Sequence, residues 1–189
     1  MSHRTFGLAL AFLAISGCGS GVSSTEQARR AYLGLDASID KAIQLGFDGF
    51  NAPSNGANIQ PQTGVGTASG TLKVTGQVDQ GSSANKGMRL ITEYAGYSDD
   101  GKLVYVTQAG PSQALGMQLK SIPTGTLDGT MAATLNMTGE LNGTVTLSIT
   151  FSGQLMAGTG TQVVRKPGTT HITGTAQSAD GVYTIDVTR

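Results

Sequence analysis

Between residues 143 and 155 apolar and hydroxyl side chains alternate, and this alternation limits what the chain can fold into. The apolar positions are Val145, Leu147, Ile149 and Phe151, and the positions between them are Thr144, Thr146, Ser148 and Thr150. Successive residues of a β-strand point to opposite faces of a sheet, so this period predicts a strand with one buried face and one wet face. Sheets with one solvated face are typically antiparallel.

The same period of two recurs along most of the chain after residue 65. The further apolar sets are Leu72, Val74 and Val78; Met88, Leu90 and Tyr94; Leu103 and Tyr105; Met131, Ala133, Leu135 and Met137; Ile172 and Ala176; and Tyr183, Ile185 and Val187. Four Asp-Gly or Asn-Gly pairs favour hairpin turns, at 100–101, 128–129, 142–143 and 180–181. We therefore expect a mainly β fold, an antiparallel meander of about 7–9 strands forming an open barrel or a strongly twisted sheet, with a β-sandwich as the alternative.

A short motif of a hydroxyl residue, Gly, a polar residue and an apolar residue occurs four times. Its copies are Thr75-Gly76-Gln77-Val78, Thr138-Gly139-Glu140-Leu141, Ser152-Gly153-Gln154-Leu155 and Thr173-Gly174-Thr175-Ala176. The irregular spacing does not indicate a solenoid. We expect the motif to mark strand ends, bulges or bends, where the missing side chain lets a neighbouring strand approach closely.

One amphipathic helix is predicted before the β region, over about residues 24–47. Ser24 followed by Gln27 is typical of a capping box at a helix N-terminus. Apolar residues then recur at steps of three and four, which places them on one helix face: Ala28, Tyr32, Leu35, Ile39, Ala42, Ile43 and Phe47. This stripe is too apolar to stay in water, so we expect it to pack on the sheet in a single domain over 24–189, with the β part at about 65–189.

The first seventeen residues have the layout of an export signal. Residues 6–15 are an uncharged, apolar run. This run is too short for a membrane-spanning helix, which needs about 20 residues, but it is typical of a secretory signal peptide. The small residues Ser16 and Gly17 follow, and then comes Cys18, the only cysteine of the chain.

The segment Ile15-Ser16-Gly17-Cys18 resembles the lipobox of bacterial lipoproteins, which has an apolar residue, two small residues and a cysteine. The resemblance implies that residues 1–17 are removed as a lipoprotein signal peptide, and that Cys18 is lipidated and anchors the chain in the membrane. Residues 18–23 would then be a lipidated tether. In Gram-negative cells, the residue after the cysteine directs sorting in this family, and Gly19 in place of Asp implies the outer membrane. The resemblance covers only this segment and implies nothing about the fold.

Candidate catalytic and metal-binding residues are few. His171 is the one histidine after the signal segment, and its surroundings contain no nucleophile elbow, so we interpret it as an exposed strand residue. His, Cys and carboxylates do not cluster at metal-ligand spacing. Asp99-Asp100-Gly101 is weakly similar to a calcium loop, and a hairpin turn is the preferred interpretation. We therefore predict no catalytic residue, cofactor or metal site. A glycosidase-type pair of carboxylates that meet only in the folded chain is the alternative that the sequence does not exclude.

Charge and side-chain chemistry restrict the partners. Twelve Lys and Arg residues balance twelve Asp and Glu residues, so no positive field favours nucleic acid. Five methionines are interpreted as core residues that fill gaps: Met88, Met117, Met131, Met137 and Met156. The hydroxyl row from Thr144 to Ser152 is interpreted as a solubilising outer face, with a hydroxyl surface for sugars as the alternative.

These observations leave three classes of function. The preferred one is a lipid-anchored cell-envelope lipoprotein that is not an enzyme and has a structural or interaction role. The alternative is a carrier of a small apolar ligand, which needs a cavity between sheet and helix. A weaker alternative is a hydrolase, which predicts a cleft where carboxylates converge on His171. The sequence does not identify the protein partner or ligand.

Overall fold

The computed structural model describes residues 21–52, 58–109 and 113–189, so Cys18 and the predicted signal peptide lie outside the described residues. The helices are α1 (Thr25–Leu33) and α2 (Asp36–Asn51). The strands are β1 (Gln62–Val65), β2 (Ser69–Val78), β3 (Lys86–Ser98), β4 (Leu103–Thr107), β5 (Ala114–Lys120), β6 (Thr126–Gly139), β7 (Gly143–Ala157), β8 (Val163–Arg165), β9 (His171–Ser178) and β10 (Gly181–Thr188).

The strands form one antiparallel sheet in the order β1-β2-β3-β4-β6-β7-β9-β10. β5 pairs with the first half of β3 and of β6, beside β4, and β8 pairs only with the end of β7. The predicted mainly β, antiparallel fold with N-terminal helical packing is confirmed, as an open sheet rather than a sandwich or a closed barrel. The described residues form ten strands, and the alternating apolar sets account for seven of them. β1 and β8, with four and three residues, are too short to show alternation, and β5 is the third strand without a predicted set.

The cleanest predicted strand lies in the middle of the sheet as β7. Its apolar residues Val145, Leu147, Ile149 and Phe151 are at most 3 % exposed, and the hydroxyl residues between them are exposed. β7 pairs with β6 on one side and β9 on the other. The two faces assigned from the sequence are therefore confirmed.

The helical segment is interrupted, which corrects the prediction of one helix over 24–47. Ser24 caps α1 by accepting a hydrogen bond from the Gln27 backbone N–H at 3.2 Å. α1 ends before Gly34, where the Tyr105 hydroxyl of β4 donates to the Ala31 carbonyl at 2.8 Å. A side chain on Gly34 would overlap that hydroxyl. The break therefore makes room for Tyr105, which belongs to a distant strand. The helical periodicity of the sequence carries no information about this contact.

The two helices pack on the inner face of the sheet and connect its two edges. α1 contacts β9 and β10, and α2 contacts β1, β2, β3 and β8. The predicted apolar stripe is inside, with Tyr32, Leu35, Ile39 and Ile43 at most 1 % exposed. They share one hydrophobic core with the inner residues of the strands. The helices and the β part are therefore one packed unit.

Glycine positions explain how the sheet bends. Gly129 lies inside β6, so the turn expected at 128–129 is wrong, whereas the other three predicted turns lie between strands. Gly129 is paired with Phe151, and the Phe151 ring occupies the space that a Gly129 side chain would need. In the recurring motif, Gly76, Gly139 and Gly174 have positive φ, and at each of them a neighbouring strand's carbonyl oxygen occupies that space. The motif therefore marks close strand approaches, as predicted.

The chain enters the fold at one end of the sheet, here called the tether end. Gly21 donates its backbone N–H to the Asn142 carbonyl at 2.7 Å, and Val22 is fully buried. Residues 21–23, expected to belong to the tether, therefore lie against the folded domain. Arg30 of α1 reinforces this end through ion pairs with Asp100 and Glu140, each at 2.7 Å.

Candidate functional site

The outer face of β3, β5, β6, β7 and β9 has a depression of about 560 Å³, here called the outer concavity. Most of its lining consists of outer-face residues, such as His171 and Thr173 on either side of the fully buried Ile172. Four residues at inward-facing positions complete the lining: Met88, Met117, Gly129 and Phe151. Because neighbouring residues of a strand point to opposite faces, this pattern places the concavity on the outside of the sheet. The site is therefore separated from the helices by the sheet itself.

Polar side chains on three adjacent strands form two cross-strand rows in the outer concavity. The rows are Thr130, Thr150 and Thr173, and then Asp128, Ser152 and His171, on β6, β7 and β9 respectively. Residues directly opposite each other on antiparallel strands have Cβ atoms about 5 Å apart. The rows therefore form a compact grid of hydroxyl, carboxylate and imidazole groups.

β5 contributes an open space instead of a side chain. Gly116 lies opposite Thr130, and its two neighbours, Leu115 and Met117, are buried. An added Cβ on Gly116 would meet only the Thr130 hydroxyl, at 3.3 Å. The missing side chain therefore deepens the outer concavity at this point.

The polar groups of the outer concavity are only partly engaged with each other. The hydroxyls of Thr150 and Thr173 are 2.9 Å apart and share a hydrogen bond. His171 Nε2 lies 2.9 Å from Asp186 Oδ1 of β10. Three further polar side chains of the lining form no hydrogen bond to the described part of the chain: Gln118, Thr130 and Ser152. These three have their full hydrogen-bonding capacity available at the surface.

Formal charges around the outer concavity are balanced in pairs. Arg89 Nη2 donates to Asp79 Oδ1 at 3.0 Å, and Lys120 Nζ donates to Asp128 Oδ2 at 3.5 Å. The hydrogen bond from Arg89, helped by the Gly87 backbone N–H, lowers the pKa of Asp79. Asp79 therefore stays ionised beside Arg89, and the surface presents polar groups with little net charge.

A second cluster of charged residues joins α2 to β8. Arg165 of β8 contacts two carboxylates, with Nη1 2.9 Å from Asp36 Oδ1 and Nη2 2.8 Å from Asp40 Oδ2. The Tyr32 hydroxyl donates to Asp36 Oδ1 at 2.8 Å. Arg189 Nε lies 3.5 Å from Asp36 Oδ2. These residues connect both helices with the C-terminal part of the sheet.

Asp36 and Arg165 are buried, and their partners in this cluster keep both side chains charged. Burial raises the pKa of Asp36, but the hydrogen bonds and charge of Arg165 outweigh it, and the net pKa is lowered. Burial also disfavours charge on Arg165, but the hydrogen bonds that it donates to Asp40 and Asp36 outweigh burial, so that its pKa is raised. A cleft of about 360 Å³ opens beside them. Since each buried charge has a partner, we interpret the cluster as a structural connection.

Of the candidate catalytic and metal-binding residues, the structure brings only His171 to the outer concavity, beside Thr150 and Ser152 of the predicted hydroxyl row. His171 lies there and is exposed, as expected, whereas Cys18 lies outside the described residues. Asp99 accepts hydrogen bonds from Lys41 and Tyr97 at the β3–β4 turn. Within the described ranges, no three His, Cys, Asp or Glu side chains are grouped as metal ligands.

Four of the five methionines are core residues as predicted, with exposures of 1–3 %: Met88, Met117, Met131 and Met137. Met156 differs, because it is 39 % exposed on β7. The sequence reasoning missed the cluster around Arg165. One signal was available, since the four-residue spacing of Asp36 and Asp40 places both carboxylates on the same helix face.

No helix of the described residues combines the length and the apolar character needed to cross a membrane. Comparisons of the chain with protein-family models, with curated proteins and with solved structures gave no match.

Proposed function

We propose that this chain is a lipid-anchored protein of the cell envelope that acts by interaction rather than catalysis. In this proposal residues 1–17 are removed, Cys18 carries the lipid, and Gly19 directs the protein to the outer membrane of a Gram-negative host. The outer concavity is the surface that meets another envelope component.

The observation that carries the proposal is the position of Gly21. Its backbone is hydrogen-bonded to Asn142 at the tether end, and only two residues separate it from Cys18. Three residue steps span at most about 10 Å. A lipid on Cys18 would therefore hold the tether end close to the membrane headgroups.

The outer concavity would then lie at a distance from the membrane surface. Thr150 is seven residues along β7 from Gly143, which begins that strand at the tether end. At about 3.3 Å per residue this separates the two by roughly 23 Å. A component of the envelope could reach the concavity without displacing the domain from the membrane surface.

The packing between helices and sheet favours this role over the apolar-ligand carrier. The described residues of that layer include large side chains that are fully buried: Tyr32, Tyr97, Tyr105, Leu35, Ile39 and Ile43. The two concavities described above both open at the surface, and the one at α2 has charged residues in its lining. The outer concavity lies on the face of the sheet opposite the helices, so neither opening is the apolar cavity between sheet and helix that a carrier needs.

Short-range quenching in nanodiscs tests the proposed orientation. Cys18 is the only cysteine, so a lipidated chain with one added cysteine takes a fluorophore at that residue alone. We expect a quencher on the lipid headgroups to quench a label at Asp180→Cys, in the tether-end turn, and to spare one at Thr159→Cys, at the opposite end of the sheet. Equal quenching at both positions would contradict the proposal.

A variant with a longer tether provides the control. Inserting a flexible Gly-Ser segment between Ser20 and Gly21 leaves the fold and the lipid in place but releases the distance limit. Quenching at Asp180→Cys should then fall toward the level at Thr159→Cys. An unchanged difference would mean that the domain itself, and not the short tether, sets the orientation.

A hydrolase is the second candidate, because one arrangement in the outer concavity favours it. Ser152 lies opposite His171 on the neighbouring strand, and His171 contacts Asp186. Serine hydrolases use these three residue types, with the base oriented by a buried carboxylate. Here the His171 and Asp186 side chains are 55 % and 77 % exposed, which denies them the water-excluded setting that strengthens catalytic electrostatics.

An activity-based probe separates the two candidates. We expect a fluorophosphonate, which labels activated serines, to leave the purified protein unlabelled. Labelling that disappears in Ser152→Ala and in His171→Ala would overturn the non-catalytic proposal and establish the hydrolase.

A further inference from the structure

We infer that the outer concavity binds a neutral, hydroxyl-rich glycan chain. This inference rests on the interaction role proposed above and names the chemistry of the ligand at that same site. It selects the sugar-binding alternative for the hydroxyl row from Thr144 to Ser152, because two residues of that row, Thr150 and Ser152, line a depression rather than a flat face.

The shape of the outer concavity fits one segment of an extended polymer. A volume of about 560 Å³ is within the range of small-ligand sites. The depression is open to solvent and crosses five strands, and Gly116 leaves room on β5 beside Thr130. An open depression accepts a part of a chain whose ends continue past the site.

The charge pattern favours an uncharged ligand. Arg89 and Asp128 are the charged groups of the lining, and each has an opposite charge beside it, on Asp79 and Lys120 respectively. An anionic or cationic ligand would have to displace one of these pairs. A neutral ligand can bind beside both without separating them.

The hydrogen-bonding groups match those of a sugar. Hydroxyls and amides both donate and accept, as sugar hydroxyls do. The three unengaged side chains of the site are of these types: Gln118, Thr130 and Ser152. Gln118 and Ser152 lie on either side of Asp128 in one cross-strand row, and Thr130 lies on the middle strand in the next row. Neighbouring strands are about 4.8 Å apart. A hydroxyl-rich ligand can therefore contact several of them at once.

Titration calorimetry on the lipidated full-length protein in nanodiscs tests this inference. The probes are cellohexaose, maltohexaose and chitohexaose, with hexagalacturonate as the anionic comparison. Nanodiscs replace sugar-headgroup detergents, which would compete for the site. We expect at least one neutral hexasaccharide to bind and hexagalacturonate to bind more weakly. No heat with any neutral probe, or preference for the anion, would overturn the inference.

A pair of leucine variants locates the binding. Gly116→Leu fills the part of the outer concavity beside Thr130 with little steric conflict and should weaken binding at least about tenfold, which corresponds to roughly 1.4 kcal/mol. Thr138→Leu adds the same side chain on the exposed face of β6 at the tether end and should leave affinity unchanged. Equal affinity of Gly116→Leu and wild type would place the sugar elsewhere and reject the site.

Two further controls keep the outcomes distinct. Gln118→Ala and Ser152→Ala remove exposed polar groups, and we expect each to weaken binding while the melting temperature stays the same. If wild-type binding fails but the headgroup quenching pattern persists, the glycan inference is wrong and the anchored orientation stands. If a hexasaccharide binds but the quenching pattern fails, the anchored orientation is wrong and the glycan inference stands.

Discussion

Arg165 of β8 and Asp36 of α2 form a buried ion pair with an Nη1–Oδ1 distance of 2.9 Å, although they are 129 positions apart in the chain. Both side chains of the pair are largely buried, with less than 10 % of each exposed. It ties the helical segment to the C-terminal part of the sheet. Breaking a buried pair by removing one partner leaves the other charge uncompensated, which costs about 3–5 kcal/mol.

The pair predicts a specific pH dependence of stability. The folded pKa of Asp36 is lowered, so its stabilising effect is complete above the unfolded aspartate value of about 3.9 and is lost as the pH falls through the folded value. In Arg165→Met the buried carboxylate lacks this partner, and its folded pKa should be raised instead. In this variant, ionisation of Asp36 then lowers the free energy of unfolding as the pH rises.

Denaturant titrations at pH 7 and near pH 3 measure this effect. We expect Arg165→Met to be less stable than wild type by about 3–5 kcal/mol at pH 7, with a smaller difference at the acidic pH. Lys166→Met removes an exposed cation from the adjacent residue and should be close to wild type at both. If the stability difference between Arg165→Met and wild type is the same at both pH values, the charge on Asp36 does not cause the loss of stability.

The break between α1 and α2 predicts a compensating pair of mutations. Gly34→Ala places a methyl group against the Tyr105 hydroxyl and should destabilise the fold by about 1–3 kcal/mol, as overpacking does. Tyr105→Phe removes that hydroxyl, and with it the hydrogen bond to Ala31. We therefore expect Gly34→Ala to lower the stability less in the Tyr105→Phe background than in the wild-type protein. Simple additivity in thermal melts would contradict the steric account of the break.

Because α2 packs on the sheet, we expect an added negative charge to lower the stability much more on its buried face than on its exposed face. Ile39→Asp places a carboxylate where the wild-type side chain is 1 % exposed, and we expect a loss of several kcal/mol. Ala37→Asp makes the same change at an exposed position of α2, near its N-terminus, where a negative charge is tolerated. Similar melting temperatures for the two variants would indicate a helix that is not packed.

The two faces of β7 predict a further contrast. Phe151→Ala removes a buried ring that covers Gly129 and should cost about 3–5 kcal/mol. Thr146→Ala, on the wet face, loses one exposed hydrogen bond to Thr134 and should cost less than about 1 kcal/mol. Denaturant titration of both variants provides the comparison, and losses of equal size would contradict the assignment of inner and outer faces.

Local patterns were sufficient for the elements and their faces. The alternation from Val145 to Phe151 and the stripe through Ile39 each depend on neighbours in sequence, so they identified a strand and a helix face. Gly34 and Gly129 were misread because their roles depend on Tyr105 and Phe151, which contact them from other strands. Such contacts are set by strand register, which the sequence pattern leaves open.

The candidate site was less accessible from the sequence for the same reason. The hydroxyl residues of β7 were recognised, but the outer concavity also needs Gly116 of β5 and His171 of β9. These residues become neighbours only through the pairing of β5 with β6 and of β7 with β9. The charged cluster at Arg165 likewise has partners more than a hundred residues away.

The mass of the intact protein from the membrane fraction tests the lipid-anchored proposal most directly. The account predicts a chain that begins at Cys18 and carries a diacylglyceryl group on its sulfur, with or without a further acyl chain on its amine. Cys18→Ser should lose this modification and leave the membrane-anchored pool. A mature N-terminus at any other residue, or an unmodified thiol at Cys18, would contradict the account.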